Sequence, residues 1–332
     1  MVKAQKYTFH CRFKTEARLP GYLGSTLRGA LGWGLKRTSC ALKRQQCETC
    51  LLREQCAYAW IFETERYKAG DGRIINARPH PFVLQPEMNC AGHREQGTDL
   101  NFSLLLFDRA NEFLPQLVYA IQMMGEAGVG SGRRQGLGRF QLEKVSTEEE
   151  ELFNAENSVL KKCIDIPLLH LEDMTATETG SVRLILQTPL RLKQNNKLGR
   201  VLPFHVLIRT TLRRIAALED AYGGGEPDLD YRGLVQRAET IETAESSIRW
   251  QELFRYSNRQ RKKVSLSGLA GSVSYHGLLT EFVPLLRYAE QVNIGKQTVF
   301  GLGKVDISFF PVAGYTREPC NIATPPSNNI VN

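Results

Sequence analysis

The amino-acid sequence predicts an α+β protein made of two related domains in tandem. Its 332 residues suit two domains of ordinary size better than one. Each half shows the same order of predicted elements: a strand, a helix, further strands, a second helix, a glycine-rich loop and a closing strand. The loops also match, because "QGLG" at 135–138 returns as "FGLG" at 300–303, 165 positions later. Duplication of a βαββαβ unit, the ferredoxin-like fold, accounts for these observations.

In the first half, hydrophobic periodicity defines the elements. The alternation in "KYTFHCRFK" predicts a strand, and apolar residues at helical spacing predict a helix over 19–38 despite its glycines. A cysteine-rich, loop-rich insertion follows at about 40–60. We predict an extended, proline-interrupted segment over 78–87, a strand over 98–108, a helix over 109–128 and a closing strand over 138–145.

The second half repeats this order after a polar, acidic stretch. We predict a strand over 180–193, a helix over 202–224, strands joined by a basic turn over 248–277, a helix over 278–293 and a strand over 303–310. The expected boundaries are 1–150 for the first domain, 151–178 for the linker, 179–315 for the second domain and 316–332 for a frayed tail.

The composition points to a soluble protein with an anionic partner. The formal charge is +8 and the pI is near 9.1, with 42% hydrophobic and 23% charged residues. A basic excess of this size favours nucleic acid as the partner. No run of eighteen apolar residues predicts a membrane span, and the first residues lack the apolar centre of a signal peptide. We therefore expect a cytoplasmic protein without a membrane partner.

The glycine-rich loops do not fit a nucleotide-cofactor site, because each follows a helix and opens a strand. A dinucleotide-binding loop has the reverse order, and a P-loop ends in Gly-Lys-Ser or Gly-Lys-Thr, which neither copy contains. Glycine backbone beside basic side chains suits phosphate groups. Tight turns that pack a helix onto a strand are the alternative. The residues predicted to contact RNA are Gly130, Gly132, Arg133, Arg134, Gly136, Gly138 and Arg139 in the first loop, and Gly295, Lys296, Gly301, Gly303 and Lys304 in the second.

A basic turn in the second half is a further candidate for RNA binding. The stretch "RYSNRQRKK" places five cations within nine residues, with a tyrosine among them. A solvated loop is the alternative. If the turn binds RNA, affinity should fall steeply with salt. The five cations are Arg255, Arg259, Arg261, Lys262 and Lys263.

Four of the eight cysteines are clustered as Cys40-x6-Cys47-x2-Cys50-x5-Cys56. In a reducing compartment this spacing favours metal binding over disulfides. Four thiolates complete a tetrahedral zinc site, and a four-iron cluster needs four cysteines as well. We expect a structural zinc ion, with an iron–sulfur cluster or four metal-free buried thiols as alternatives.

Several segments resemble the CRISPR-associated endoribonucleases that process pre-crRNA, a branch of the repeat-associated mysterious protein (RAMP) superfamily. They are "LPGYLGSTLRGALGWGLKRTSC", "CETCLLREQC", "LFDRANEFLPQLVYAI", "GSGRRQGLGRF", "RYSNRQRKKVSLSGLAGSVSY" and "NIGKQTVFGLG". The resemblance implies tandem ferredoxin-like domains that bind CRISPR repeat RNA and cut it into guide units. It implies catalysis without a metal, by attack of a 2′-hydroxyl to leave a 2′,3′-cyclic phosphate. CRISPR effector subunits and a second copy of the chain are further possible partners.

The resemblance leaves the catalytic residues open. Many members carry a histidine in or just after the first helix, whereas residues 21–40 contain none. Cleavage still requires alignment of the 2′-oxygen, charge stabilisation and a proton for the leaving oxygen. We weigh His80 and His93 as loop residues that could reach the cleft. The main candidates are His10, Tyr22, Arg28, Lys36 and Arg37.

Two other functions compete with a repeat-specific endoribonuclease. The first is a non-catalytic RNA-binding subunit of a CRISPR effector complex with the same fold, which the missing histidine favours. The second is a metal or redox protein built around the four cysteines.

Overall fold

The structure is a computed structural model. It describes residues 1–43, 46–68, 74–87, 91–163, 165–171, 178–194, 197–257 and 261–311. None of the helices in these ranges has the length and apolar character needed to cross a membrane.

The first half contains nine strands and three α-helices within the described residues. The strands are β1 (Ala4–Phe13), β2 (Ala17–Leu19), β3 (Glu65–Lys68), β4 (Ile74–Ala77), β5 (Phe82–Pro86), β6 (Gly92–Arg94), β7 (Asp99–Phe107), β8 (Phe140–Ser146) and β9 (Glu151–Asn154). The helices are α1 (Gly24–Ser39), α2 (Ala57–Phe62) and α3 (Leu114–Ala127).

The described part of the second half also contains nine strands and three α-helices. The strands are β10 (Thr179–Leu190), β11 (Lys193–Gln194), β12 (Lys197–Leu198), β13 (Glu242–Ser246), β14 (Arg249–Gln251), β15 (Phe254–Ser257), β16 (Lys262–Ser265), β17 (Gly268–His276) and β18 (Val305–Pro311). The helices are α4 (Phe204–Leu218), α5 (Tyr231–Ala238) and α6 (Val283–Val292).

Both halves have the sheet order of a ferredoxin-like domain. The first sheet runs β5-β7-β1-β8-β9 and the second runs β13-β17-β10-β18, with every neighbouring pair antiparallel. In each case the first strand of the unit lies between the third and the fourth. The tandem α+β fold is therefore confirmed. Strand β9, the fifth strand of the first sheet, comes from residues that we assigned to the linker.

The first core forms because one face of each element is apolar. Alternate residues of β1 are buried, and Phe9 and Cys11 pack with Leu27 and Leu31 of α1. The glycines of α1 serve close packing: a Cβ on Gly34 would lie 2.5 Å from a backbone oxygen of α3. Helices α1 and α3 thus cover one face of the first sheet, and the even-numbered residues of β1 lie on the opposite face.

That opposite face is partly covered by the second domain. Val83, Leu105 and Phe107 belong to the apolar cluster of the second domain. The rings of Phe107 and Tyr222 stack with centroids 6.3 Å apart. Because the two domains share this core, the elements at their junction are held in fixed positions.

Candidate nucleic-acid interface

The two glycine-rich loops have the same backbone conformation. In both, five positions have positive φ, and the two sets are 165 residues apart. Gly138 accepts a hydrogen bond from Val129 N at 2.8 Å, and Gly303 accepts the equivalent bond from Ile294 N at 2.9 Å. The paired positions, first loop then second, are Gly128 and Asn293, Gly130 and Gly295, Gly132 and Gln297, Gly136 and Gly301, and Gly138 and Gly303.

The tip of the first loop is open to solvent, although Gly130 and Gly138 lie against protein backbone. Arg133 and Arg134 are exposed on a short 3-10 turn between the left-handed residues Gly132 and Gly136. A Cβ on Gly136 would have no neighbour within 4 Å. Arg139 is exposed just beyond the loop. This arrangement suits a phosphate, because the two guanidinium groups lie side by side on an exposed turn.

The second loop is instead docked on the first domain. The hydroxyl of Tyr22, just before α1, donates to Phe300 O at 2.7 Å. A Cβ on Gly301 would lie 2.5 Å from Leu84 O of β5. Gly301 and Gly303 are buried, so these glycines approach protein backbone. Gly295 and Lys304 are half-buried, and Lys296 is exposed at the outer end of the loop.

Docking brings two arginines onto one aromatic ring. The guanidinium carbon of Arg28, on α1, lies 5.0 Å from the ring centre of Phe300. That of Arg255, on β15, lies 4.8 Å from the same ring centre. Three parts of the chain that are far apart in sequence thus form one basic cluster at the domain junction, which we call the arginine pair.

The arginine pair makes no close ion pair, although Glu63 acts on Arg28 from a longer distance. No carboxylate among the described residues lies within 4 Å of either guanidinium, and the Nε atoms of both are buried without a hydrogen-bond partner there. Burial, followed by the charge of Arg255, lowers the pKa of Arg28 to about 10. Burial also lowers the pKa of Arg255. Both side chains stay charged at neutral pH, and an incoming phosphate would relieve their repulsion.

His80 holds Arg28 in place. Its Nδ1 is 3.1 Å from the Ile61 carbonyl, which only accepts, so Nδ1 carries the proton. Its Nε2 therefore accepts from Arg28 Nη2, at 3.4 Å. Burial, and then the charge of Arg28, lowers the pKa of His80 to about 4. His80 is thus neutral at pH 7, with both ring nitrogens engaged.

The other predicted catalytic residues do not join the arginine pair. His10 lies on the face of the first sheet opposite α1, with Nε2 3.1 Å from Ser146 Oγ. Burial lowers its pKa. Lys36 and Arg37 lie two turns beyond Arg28 on α1, beside Trp33 and Cys40.

Tyr22 lies at the junction, but its hydroxyl is committed to the Phe300 carbonyl. Burial raises its pKa, so the group remains protonated at neutral pH. Its position indicates a tether between α1 and the second loop. His93, which we also weighed, is exposed on β6.

The predicted basic turn forms the β15–β16 hairpin. Arg261, Lys262 and Lys263 are exposed at and after its tip. Two exposed aromatic side chains, Phe254 and Tyr256, lie on the same hairpin, and Lys263 Nζ is 4.3 Å from the ring centre of Phe254. Arg255 points to the other side, towards Phe300. Arg259 falls outside the described residues.

The predicted zinc site is not supported, and neither is the iron–sulfur alternative. The four cysteines are half-buried and form no disulfide: Cys40, Cys47, Cys50 and Cys56. Within the described ranges no group of three or more His, Cys, Asp or Glu side chains could hold a metal ion. Two 3-10 turns separate the cysteines between α1 and α2. Burial, and then Glu63, raises the pKa of Cys47, and the neighbouring Cys56 and Cys40 raise it further.

Sequence reasoning missed Phe300 and the pairing of Arg28 with Arg255. A signal existed, because Phe300 stands where the first copy of the loop has Gln135, and an aromatic residue in a duplicated turn suggests a role specific to that copy. The contact between Arg28 and Phe300 joins residues more than 270 positions apart, and local sequence patterns do not indicate contacts of that range.

Comparisons with known proteins agree with this fold. Residues 184–305 match the family model described as CRISPR-associated endoribonuclease Cas6, and residues 2–164 match a model described as an N-terminal domain. An uncharacterized protein of Archaeoglobus fulgidus is 24% identical over 291 residues, covering 86% of this chain and 91% of that protein.

Solved structures show the same architecture. A Cas6 product complex gives a TM-score of 0.55 at 13% identity, covering 92% of this chain and 100% of that one. Thermus thermophilus Cas6 gives 0.55 at 14%, covering 93% and 99%. At identities this low, the solved structures show only that the fold is shared. The Cas6 family model adds a match in sequence, which lies in the second domain. The second domain thus matches the family of CRISPR-associated Cas6 endoribonucleases, and the chain as a whole shares the fold of the Cas6 structures.

Proposed function

We propose that this protein cleaves CRISPR repeat RNA and so processes pre-crRNA into guide units. The arginine pair carries the proposal, because two neighbouring guanidinium groups that make no close ion pair among the described residues form a site for a phosphate. The Cas6 family match supports repeat RNA as the source of that phosphate.

The proposed reaction is an in-line transfer within the RNA. The ribose 2′-oxygen bonds to the adjacent phosphorus, and the bond from phosphorus to the 5′-oxygen breaks. The 2′-hydroxyl gives up its proton and the leaving 5′-oxygen takes one up, which leaves a 2′,3′-cyclic phosphate and a 5′-hydroxyl. Arg28 and Arg255 would stabilise the charge that develops on the phosphorane oxygens, and we propose that this replaces a metal ion.

Proton transfer in this proposal does not use a protein side chain at the junction. His80 is neutral with both nitrogens engaged, and Tyr22 is protonated and bound to a carbonyl. His10 lies on the other face of the sheet. The acceleration would come from alignment and charge stabilisation, with water exchanging the protons. The rate should therefore show no inflection near the usual histidine pKa.

Two further surfaces would hold the RNA backbone. The first glycine-rich loop offers Arg133 and Arg134 on an open turn, and the β15–β16 hairpin offers exposed cations and aromatic rings. In the docked second loop, Lys296 is the exposed cation. These contacts would sense backbone position and shape, because side chains read A-form RNA poorly through its deep groove.

A non-catalytic RNA-binding role in a CRISPR complex remains the second candidate. The observation that favours it is the missing acid–base group beside the arginine pair among the described residues. Such a protein would bind the same phosphate without cutting. Assembly with effector subunits or with a second copy is a separate prediction, which light scattering of the protein with and without RNA would measure.

The deciding experiment is incubation with repeat RNA from the same genome in EDTA, beside a matched RNA carrying one 2′-deoxy sugar at the cleavage site. Cleavage that survives EDTA and stops with the single deoxy substitution supports the proposed reaction. Tight binding of uncut RNA would move the protein to the second candidate. Cleavage that EDTA abolishes would contradict the metal-free reaction.

A further inference from the structure

Helix α1 carries a second basic surface, which is separate from the arginine pair. Trp33 is 45% exposed on this helix. A pocket beside it is lined by one aromatic side chain, three cations and one cysteine. The lining residues are Trp33, Lys36, Arg37, Cys40 and Lys43; we call this the Trp33 pocket.

The charges of the Trp33 pocket are available to a ligand. The guanidinium of Arg37 lies 5.6 Å from the ring centre of Trp33, and Lys36 Nζ lies 5.1 Å from that of Tyr58. In the described part of the chain, no carboxylate is within 4 Å of the three cations. Cation–π contacts keep the cations near aromatic rings without neutralising them.

The pocket is separate from the cleavage site but close enough to serve the same molecule. Lys36 follows Arg28 by eight residues, or ~12 Å along a helix at ~1.5 Å per residue. Arg37 follows it by nine residues, which at ~100° per residue places it on the opposite side of α1. A strand leaving the arginine pair would reach the pocket by passing around this helix.

We propose that the Trp33 pocket binds an unpaired segment of RNA. One base would stack on the exposed indole, while phosphates on either side would meet the three cations. This combination is how proteins hold single strands, because every unpaired base offers a π-face whatever its sequence. A base-paired stem fits poorly, since its bases are stacked on each other. An acidic peptide would meet the charges but leaves the indole face without a matching ring.

In the cell this segment would be the part of the substrate that flanks the repeat, and that assignment rests on the proposed function. Binding to the pocket can be tested without cleavage. The probe is a fluorescently labelled oligoadenylate of eight nucleotides, titrated into the intact protein and followed by anisotropy and by tryptophan fluorescence.

We expect oligoadenylate to quench the tryptophan fluorescence of the wild-type protein. The Trp33→Ala variant should bind oligoadenylate about 5- to 150-fold more weakly than the wild type, as expected for loss of one base–aromatic stack. Trp33→Phe should lose less, because a phenyl ring still stacks. The matched control is Tyr119→Ala, which removes an aromatic residue of similar exposure (55%) from α3, outside the pocket. It should leave binding unchanged.

Charge is tested in the same assay. Replacing Lys36, Arg37 and Lys43 together should reduce the slope of log affinity against log salt by about 2, at ~0.7 per phosphate of a single strand. An unchanged affinity in Trp33→Ala, or an unchanged slope in the triple variant, would overturn the proposal. The proposal would also be overturned if a designed acidic helical peptide bound in a Trp33-dependent way and oligoadenylate did not bind.

A cleavage comparison separates this inference from the proposed function. Trp33→Ala should cut a bare repeat at the wild-type rate but bind a repeat with an eight-nucleotide adenylate flank less tightly than wild type does. If no variant cuts any RNA, the proposed function fails, while Trp33-dependent binding of oligoadenylate would still support the pocket.

Discussion

His80 gives the structure a pH dependence that can be worked out in advance. An unfolded histidine has a pKa of about 6.5, whereas burial and the neighbouring Arg28 lower the pKa of His80 in the folded chain to about 4. Between these values the unfolded chain binds a proton that the folded chain does not. The contribution of His80 to the free energy of unfolding is therefore greatest above pH ~6.5 and is lost as the pH drops to ~4. A difference of about 2.5 pKa units corresponds to a loss of about 3 kcal/mol.

Urea unfolding of the wild-type protein and of His80→Gln at several pH values from 7 to 4 measures this loss. The glutamine amide keeps a donor for the Ile61 carbonyl and an acceptor for Arg28 but does not titrate. Carboxylates titrate equally in both proteins, so their contribution cancels in the difference. We expect the wild type to lose about 3 kcal/mol more than His80→Gln between pH 7 and pH 4.

The matched control is His93→Gln, since His93 is exposed on β6. Its stability should follow the wild-type curve at every pH. Parallel curves for wild type and His80→Gln would refute the reasoning, because they would mean that His80 takes up its proton as readily in the folded chain as in the unfolded one.

Three further predictions concern the loops, the hairpin and the cysteines. Gly136→Ala and Gly301→Ala both place a side chain at a left-handed backbone position, which costs about 1–2 kcal/mol of stability. Only Gly301 is packed against protein, so thermal or urea unfolding should show that its variant loses about 1–3 kcal/mol more. Equal losses would mean that the second loop is not docked. Replacing Arg261, Lys262 and Lys263 with alanine should weaken repeat RNA binding and flatten its salt dependence, by up to about 0.9 for each phosphate that the hairpin no longer neutralises; an unchanged slope removes the hairpin from the interface. Prolonged dialysis against a chelator should leave the melting temperature unchanged, because no group of side chains among the described residues could hold a metal ion; a large fall would show that the clustered cysteines bind one.

Local patterns in the sequence were sufficient for the order of elements. The alternation of β1, the apolar spacing of α1 and the repeated "GLG" turns each act within a few residues, and the structure has all of them. Strand β13 was missed because Glu242–Ser246 is exposed throughout, so no alternation of apolar residues marks it. Helix α5 was also missed, although Asp230 caps it by accepting from Gly233 N, a pattern that the sequence contains.

The site was less predictable because it depends on contacts between distant segments. Arg28 was chosen for its charge and its place on the first helix, but its partners Phe300 and Arg255 lie in the other domain. His10 could have been placed from the sequence: Phe9 and Cys11 are the apolar positions of β1, so the residue between them faces away from α1. The cysteine spacing matched a zinc site, but spacing does not determine whether four side chains converge.

The central claim is that Arg28 and Arg255 act on one phosphate. A double-mutant cycle of single-turnover cleavage tests it with Arg28→Ala, Arg255→Ala and the double variant. Loss of one charged donor at a transition state typically costs ~10²–10³ in rate. We predict that the double variant loses clearly less than the product of the two single losses. The control pair, Arg28→Ala with Arg133→Ala, should combine within ~0.5 kcal/mol of additivity, because Arg133 lies on the separate first loop. Additive losses for Arg28 and Arg255, or cleavage unchanged without them, would contradict the account.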